Sequence, residues 1–455
     1  MKNNMQHTAN HQEELRDLMH DWADLLSLYS QPYEVALRDT PKHLWIGLEE
    51  PAPCKADEVA IMLLTAGICG TDVRVYSGDR VVPPGRIGHE SVAVVVEVGD
   101  VAKQHGFQPG MIVTIDCNNP DNTRRDLHLD AALGRFYRVP SDFVTATPQR
   151  RLIPIHDHFH SQKLSPAHAA IVEPMTVALH AIDYLRQGRV VEREEYDSAL
   201  SNERRAHMPV INHLKGKNIV ITGAGSIAVF AAMLARVSGA QQVIMVNRDL
   251  TRLRHAATMA RPDYIFPDTP NLGDELKNLS KTIGPIEYVL VASHISAVEK
   301  AFSYLLPGGT VVMVAGIPKD GVLQTDQGPI ALYPIRHDDR HLEITVNGQQ
   351  YQLMGAHGTN EPLFREVLEY IANGVFDQFK IDPTSQVTHV VSLGSLPVVF
   401  AALHAKQPLS GELMGKVLID FRLTGEQHYT KKQYIERFGA KADELFTHHG
   451  FTQVL

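Results

Sequence analysis

The sequence predicts an α/β chain of two domains, a β-rich unit and a doubly wound parallel sheet, and three stretches carry that prediction. Between Tyr33 and Gln149, short valine- and isoleucine-rich runs (EVAIMLLTAG, SVAVVVEVG, GMIVTID) are broken by glycine and proline, the pattern of several short strands joined by turns. From Lys217 to Asn247 a strand run (KNIVIT), a glycine turn, an apolar helical run (VFAAMLARVSG) and a second strand run (QVIMVN) follow one another. After Leu342 strand-rich sequence returns (EITVNG, QVTHVVS, GKVLIDF). The second unit is thus bracketed by β-rich sequence, so the first is expected to be discontinuous, with the active site in the cleft between them.

Taken in order, residues 1–38 form an arm, polar at first and then weakly helical, with Leu15, Leu18, Met19, Trp22, Leu25 and Leu26 at helical spacing. The β-rich unit is placed at 39–185 and 345–421. Its helical part opens at Ser165, with Pro166 in the first turn. Residues 186–213 are dense in charges of both signs and read as a solvated insertion. The parallel-sheet unit is placed at 214–344, with further strands at YVLVAS and TVVMVAG, and residues 422–455 read as a polar, aromatic-bearing tail packed on the surface or on a neighbouring subunit.

The 455 residues, 44% hydrophobic and 21% charged, suffice for two or three ordinary domains. A net charge of −9 without basic runs argues against nucleic acid and anionic membranes as partners. Three cysteines, Cys54, Cys69 and Cys117, are too few and odd in number for a disulfide framework and point to a reducing compartment. The N-terminus lacks an apolar signal core and no run of about eighteen apolar residues occurs, so a cytoplasmic location without a membrane span is expected.

Chemistry concentrates between Gly67 and Glu90 (GICGTDVRVYSGDRVVPPGRIGHE). Cys69 is followed twenty residues later by His89 and then Glu90, a thiolate, an imidazole and a carboxylate, all donor types that zinc takes. Glu173, an acid before Pro174 in an apolar run, is a further metal candidate, against the alternative of a carboxylate favoured by a helix start. Cys69 alone would read as an inert buried thiol; its neighbours make it a ligand candidate. His180 reads as a packed helical histidine, and His156, His158 and His160 as surface histidines.

In the glycine turn, Gly223 permits the tight bend, Gly225 lets backbone approach a pyrophosphate, and Ser226, Ile227 and the small Ala228 open the helix whose N-terminus receives it. At the end of the second strand, where an acid would bind the 2′-hydroxyl of NAD, stand Asn247 and Arg248, with Arg252 and Arg254 close by. An amide and a guanidinium suit a phosphate, so NADP is expected over NAD. The alternative is an exposed arginine face pairing with Asp249. Ser293, at the end of a later strand, is a further candidate cofactor contact.

In GICGTD (Gly67 to Asp72), GHE (Gly88 to Glu90), EPMTVALHA (Glu173 to Ala181), GAGSIA (Gly223 to Ala228) and PGGTVVMVAG (Pro307 to Gly316), the chain resembles the zinc-dependent medium-chain dehydrogenase/reductase family, over about Tyr33 to Phe421. The Glu-Pro pair at 173 and 174 resembles its polyol and sugar dehydrogenases, and Asn247, Arg248 and Arg74 together its NADP-using glucose dehydrogenases. The resemblance implies a GroES-like catalytic domain beside a Rossmann domain, a homodimer or homotetramer, and hydride transfer between NADP(H) and a secondary alcohol or ketone, or the hemiacetal carbon, of a sugar, polyol or cyclitol, phosphorylated or not. It implies Cys69, His89, Glu90 and Glu173 as zinc ligands, Asp72 as the acceptor orienting His89, and Thr71 as the hydroxyl that binds the substrate oxygen and passes on its proton.

Two departures matter. Cys117 stands where the first cysteine of the family's structural-zinc lobe would fall, but Pro120, Thr123 and Ala131 stand near the positions of its partners, so one zinc per chain and no structural zinc is expected. Arg74 occupies the position of a relay histidine and is a candidate contact for cofactor phosphates or an anionic substrate, against the alternative of a plain surface arginine. A second reading is a catalytically silent nucleotide-binding member of the same fold, acting as a subunit or redox sensor.

Overall fold

The computed structural model describes residues 19–116, 133–145, 151–155, 163–184, 214–359 and 361–452. Residues 1–18 of the arm, the 186–213 insertion, Cys117 with Pro120, Thr123 and Ala131, and His156, His158 and His160 lie outside them. The described chain forms two compact units, one from residues up to 172 and from 387 onward, the other from 173 to 386.

The first unit is organised on the strand Val59–Gly67, in which every residue is buried. It pairs antiparallel with Glu90–Val98 on one side, and with Lys416–Asp420 and Phe136–Val139 on the other. Ile112–Ile115 and Leu152–Pro154 extend the sheet one way, and Val387–Val391 and His428–Thr430 the other. A three-stranded sheet, His43–Glu49, Tyr33–Thr40 and Gly85–Arg86, stands beside it.

The segment after residue 421 is not a surface tail. His428–Thr430 pairs with Val387–Val391, and Thr430 caps the helix Lys431–Phe438 through a box with Gln433. That helix buries Tyr434 completely. Its hydroxyl donates to Asp420, which also takes two hydrogen-bonding arms of Arg422. Arg422 is fully buried, reaches Glu444 at 2.6 Å and lies 4.3 Å from the ring centre of Trp22. Its guanidinium has enough donors to satisfy all of these partners, which is what makes a buried charge tolerable.

The second unit is a seven-stranded sheet in the order Tyr264–Pro267, Gln242–Asn247, Asn218–Thr222, Tyr288–Val291, Thr310–Met313, Gln349–Gly355, His341–Val346. All neighbours are parallel except the last pair. Strand order reverses beside Asn218–Thr222, which creates the crevice where α/β sheets of this kind bind ligands. Val220, Ile244, Val289, Val311 and Leu353 belong to one buried cluster within this unit.

The second unit extends further along the chain than the strand pattern after Leu342 suggests. Gln349–Gly355 hydrogen-bonds to Thr310–Met313 in parallel register, and His341–Val346 pairs with Gln349–Gly355, so the span from 345 to 386 belongs here and the return to the first unit comes at Val387. An alternation of apolar residues announces a strand; it does not say which sheet the strand joins. Among the described residues, no helix is long and apolar enough to cross a membrane.

Candidate metal centre and cofactor cavity

In the first unit, the helix Gly70–Ser77 is capped by Cys69. Thr71 N–H points at Cys69 Sγ from 3.4 Å, and Asp72 Oδ2 accepts from Cys69 N–H at 2.8 Å, a reciprocal box that fixes the cysteine at the helix start. Gly78, with φ of 88°, ends the helix in the left-handed conformation that glycine adopts without penalty. Gly88, with φ of 103°, turns the chain directly before His89, and a side chain there would strike Leu133. His89 is 3% exposed, and Glu90 begins the strand Glu90–Val98 with no exposure at all.

These turns bring together Cys69, His89 and Glu90, each with a donor atom within 4.8 Å of the others. Asp72 stands behind the histidine, with Oδ1 3.1 Å from His89 Nδ1. That approach is close but off-line, and the buried Nδ1 has no aligned hydrogen-bond partner. Burial disfavours the imidazolium, yet Asp72 and Cys69 outweigh it and hold the His89 pKa well above the ordinary value. A donor set of sulfur, nitrogen and oxygen fits a divalent metal.

Glu90 is less available than its position after His89 implies. Lys416 Nζ lies 2.8 and 2.5 Å from its two oxygens and donates as well to Ile68 O at 3.2 Å. Gly67 is what lets the carboxylate sit there, because a Cβ at that position would lie 2.2 Å from Glu90 Oε2. Lys416 carries no motif and lies 326 residues from Glu90, so sequence reasoning did not find it. Thr71 is half-buried beside Cys69, and Arg74 is exposed on the same helix. Glu173 is buried in the first turn of the helix Val172–Asp183, in the second unit. In that unit His180 also packs as a helical histidine, bonded to Gly358 O and Tyr184 Oη.

The second unit holds a cavity of about 240 Å³ at the carboxyl ends of its strands, lined by the glycine turn, Asn247, Arg248 and Ser293 among others. Gly223 has φ of 116°, and a Cβ there would meet Ala292 O at 2.8 Å. Gly225, by contrast, faces open space, with nothing within 4 Å of the point a Cβ would occupy, so backbone is exposed to a ligand just before the helix Ser226–Val237. Ile227 follows in the first turn and Ala228 is buried. Gln386 Nε2 donates to Ser226 O at 2.9 Å, a support that no motif announces. Thr222 and Ser293 share a hydroxyl–hydroxyl hydrogen bond of 2.7 Å at the crevice.

At the outer end, Asn247 Nδ2 donates to Asp249 O, and Asp249 caps the next helix by accepting from Arg252 N–H. Arg248 is exposed, and among the described residues it makes no ion pair, whereas Arg252 stands 3.9 Å from Asp249. A bare strand end with an amide and an unengaged guanidinium suits an anionic group better than a neutral one.

Residues 55–157 match the alcohol dehydrogenase GroES-like domain. The L-threonine 3-dehydrogenase of Protochlamydia amoebophila (strain UWE25) is 24% identical over 297 residues, 60% of this chain and 75% of that one. Sorbitol dehydrogenase of Rattus norvegicus is 25% identical over 281 residues, 58% and 69% of the two chains. Among solved structures, a candidate zinc-binding dehydrogenase from Sinorhizobium meliloti 1021 bound to NADP shares the fold, with a TM-score of 0.61 at 19% identity over 86% of this chain and 99% of that one.

Proposed function

Since this chain belongs to the zinc-dependent medium-chain alcohol dehydrogenase superfamily, on its polyol dehydrogenase side, we propose that it transfers hydride between NADP(H) and a secondary alcohol or ketone, or the hemiacetal carbon, of a sugar, polyol or cyclitol. The observation that carries the reading is the buried cluster of Cys69, His89 and Glu90 with Asp72 behind it. Cys69 and His89 would hold one zinc; the place of Glu173 on the same metal rests on the sequence resemblance. Zinc held there would supply a Lewis acid for a substrate hydroxyl, and a bound nicotinamide would supply the hydride acceptor.

The chain's own residues do the rest. The Asp72 carboxylate, 3.1 Å from His89 Nδ1, favours by its charge the ring orientation that leaves the other nitrogen for the metal. Lys416 balances the Glu90 charge, which keeps the cluster from accumulating two carboxylate charges around one thiolate. Thr71 would accept a hydrogen bond from the substrate hydroxyl and relay its proton to solvent water, since Arg74 offers no base. The backbone from Gly225 to Ile227 receives the pyrophosphate, Ala228 lets the helix approach closely, and Ser293 stands at the nicotinamide side. Asn247, Arg248 and Arg252 take the 2′-phosphate. NADP bound to a structural neighbour supports this choice. The assembly proposed is a homodimer or homotetramer.

Metal analysis of the purified chain, together with an absorbance screen of polyols, aldoses, inositols and their phosphates with NADP and NAD in parallel, tests the reading. About one zinc per chain and turnover with a polyhydroxy substrate are the expected results. No zinc after zinc-replete expression would leave the catalytically silent, nucleotide-binding reading in its place.

A further inference from the structure

Among the described residues five arginines are buried, and four of them are engaged. Arg135 and Arg422 hold carboxylates, Arg336 two backbone carbonyls, and Arg151 a carbonyl and the Phe143 ring. Arg38, at 5% exposure, is the exception. Its five N–H donors meet one acceptor, Val82 O at 3.3 Å from Nη1, and its buried Nε has no partner. The carboxylates on its own and the neighbouring strand are committed elsewhere, Glu34 to Arg135, Glu49 to Arg86, and Asp39 to His43 and the Thr40 N–H. A guanidinium taken out of water with no counter-charge is costly unless an anion meets it.

The strands leave room for one. Arg38 lies opposite Gly85 in the antiparallel pairing of Tyr33–Thr40 with Gly85–Arg86, so both residues face the same side of the sheet. Nothing stands within 4 Å of the point that a Cβ on Gly85 would occupy. A glycine opposite the arginine thus opens a hollow beside the guanidinium, where a ligand can also approach backbone. Gly85 precedes His89 by four residues, a reach of at most about 14 Å in a fully extended chain. The turn at Gly88 shortens it.

The planar fork of arginine matches phosphate oxygens two at a time. With one of its five donors spent on Val82 O, the fork suits the several oxygens of a phosphate better than the two of a carboxylate. We propose that Arg38 and the hollow at Gly85 form an oxyanion site in the first unit, taking a phosphate that is either free or carried by the substrate. The site shares no residue with the cofactor cavity. Only its substrate-borne form rests on the polyol reading above.

Thermal unfolding of the full chain in inorganic phosphate, against chloride at equal ionic strength, tests the site. The wild-type midpoint should rise by about 2 °C or more at about 20 mM phosphate. Arg38→Met should lose that response, and Arg38→Lys, a point charge without the fork, should keep a smaller one. Arg248→Ala, which removes a candidate contact for the cofactor phosphate, should keep most of it. In chloride Arg38→Met should be no less stable than wild type, because it removes a buried charge and strands none. A wild type that responds to phosphate no more than to chloride would overturn the site, and so would an equal response in Arg38→Met or its loss in Arg248→Ala. A lower midpoint of Arg38→Met in chloride would mean that the fold itself satisfies the guanidinium, and would overturn it as well.

A hexitol phosphate and its parent hexitol separate the two sources. A shift with the hexitol phosphate beyond that of inorganic phosphate, lost in Arg38→Met, assigns the phosphate to the substrate; equal shifts assign the free ion. Absence of turnover on every polyol, with the phosphate response intact, would overturn the polyol reading and leave this site standing.

Discussion

Lys416 and Glu90 form a fully buried ion pair in the first unit, with Nζ 2.8 and 2.5 Å from the two carboxylate oxygens and side-chain exposures of 1% and 0%. Removing one partner of such a pair strands a charge in the interior, at a cost of about 3–5 kcal/mol, whereas removing both is far milder. Lys416→Met should therefore lower stability in urea unfolding by that amount, and Lys416→Met combined with Glu90→Gln should recover most of it. A single variant as stable as wild type would mean that the pair is not maintained in solution.

Cys69→Ser exchanges the thiol for a far weaker zinc donor. The variant should lose both bound zinc and turnover while keeping the capping geometry of the helix Gly70–Ser77, since serine caps helices well. Asp72→Asn should keep the metal but weaken it by about 10–100-fold, the usual cost of losing the group that orients a ligating histidine. Competition with a chelator measures both, and a fully active Cys69→Ser protein would end the metal assignment.

Exchanging Asn247 for Asp places a carboxylate where the 2′-phosphate is assigned. Repulsion of that phosphate, with a new acceptor for a ribose hydroxyl, should shift preference toward NAD by at least about tenfold in kcat/KM. Arg248→Ala should raise KM for NADP with little change for NAD. Equal losses with both cofactors would refute the phosphate assignment.

Cys54 provides a pH-dependent readout outside both sites. Burial, reinforced by Glu97 and Glu58, pushes its thiol up to about 11 from the ordinary 9.0. Only the thiolate is alkylated, so at pH 8 Cys54 should react about 100-fold more slowly than an unperturbed thiol, the two-unit rise removing that share of the thiolate. The sign follows directly: its rate of modification by iodoacetamide, followed by peptide mass spectrometry, should keep climbing past pH 9 and level off only near 11.

Arg422→Met leaves Asp420 and Glu444 without their shared cation. It should destabilise the first unit by about 3–5 kcal/mol, and circular dichroism with urea titration would register this as an early transition. A wild-type midpoint would show that the helices after residue 430 are not tied to the sheet through Arg422.

What could be read in the sequence was whatever lies within a local motif. Cys69, His89 and Asp72 converge because a helix cap and a glycine turn act over about twenty residues, and Gly223 to Ala228 folds as a strand, turn and helix wherever it occurs. Lys416 and Gln386 act at a distance set by tertiary pairing, and nothing about a lysine in GKVLIDF marks its partner. The strand Gln349–Gly355 shows the same limit at the level of whole elements. The helices after residue 430 show it for polarity: Arg422 and Tyr434 are polar side chains made internal by each other and by Asp420, which a hydropathy pattern counts as surface.

The order of synthesis follows from the discontinuity of the first unit. Its central strand Val59–Gly67 emerges early, but the neighbour that carries Lys416 is made only after the whole span from 173 to 386. At about 5–20 residues per second, a nascent chain waits roughly 12–50 s between the end of the first segment and Lys416. During that interval the second unit is contiguous and able to fold, while Glu90 has its carboxylate but no ammonium, and one edge of the Val59–Gly67 strand stands without its later partner. On the ribosome, the candidate metal cluster of Cys69, His89 and Glu90 is thus complete in sequence before Lys416 exists to balance the charge of Glu90.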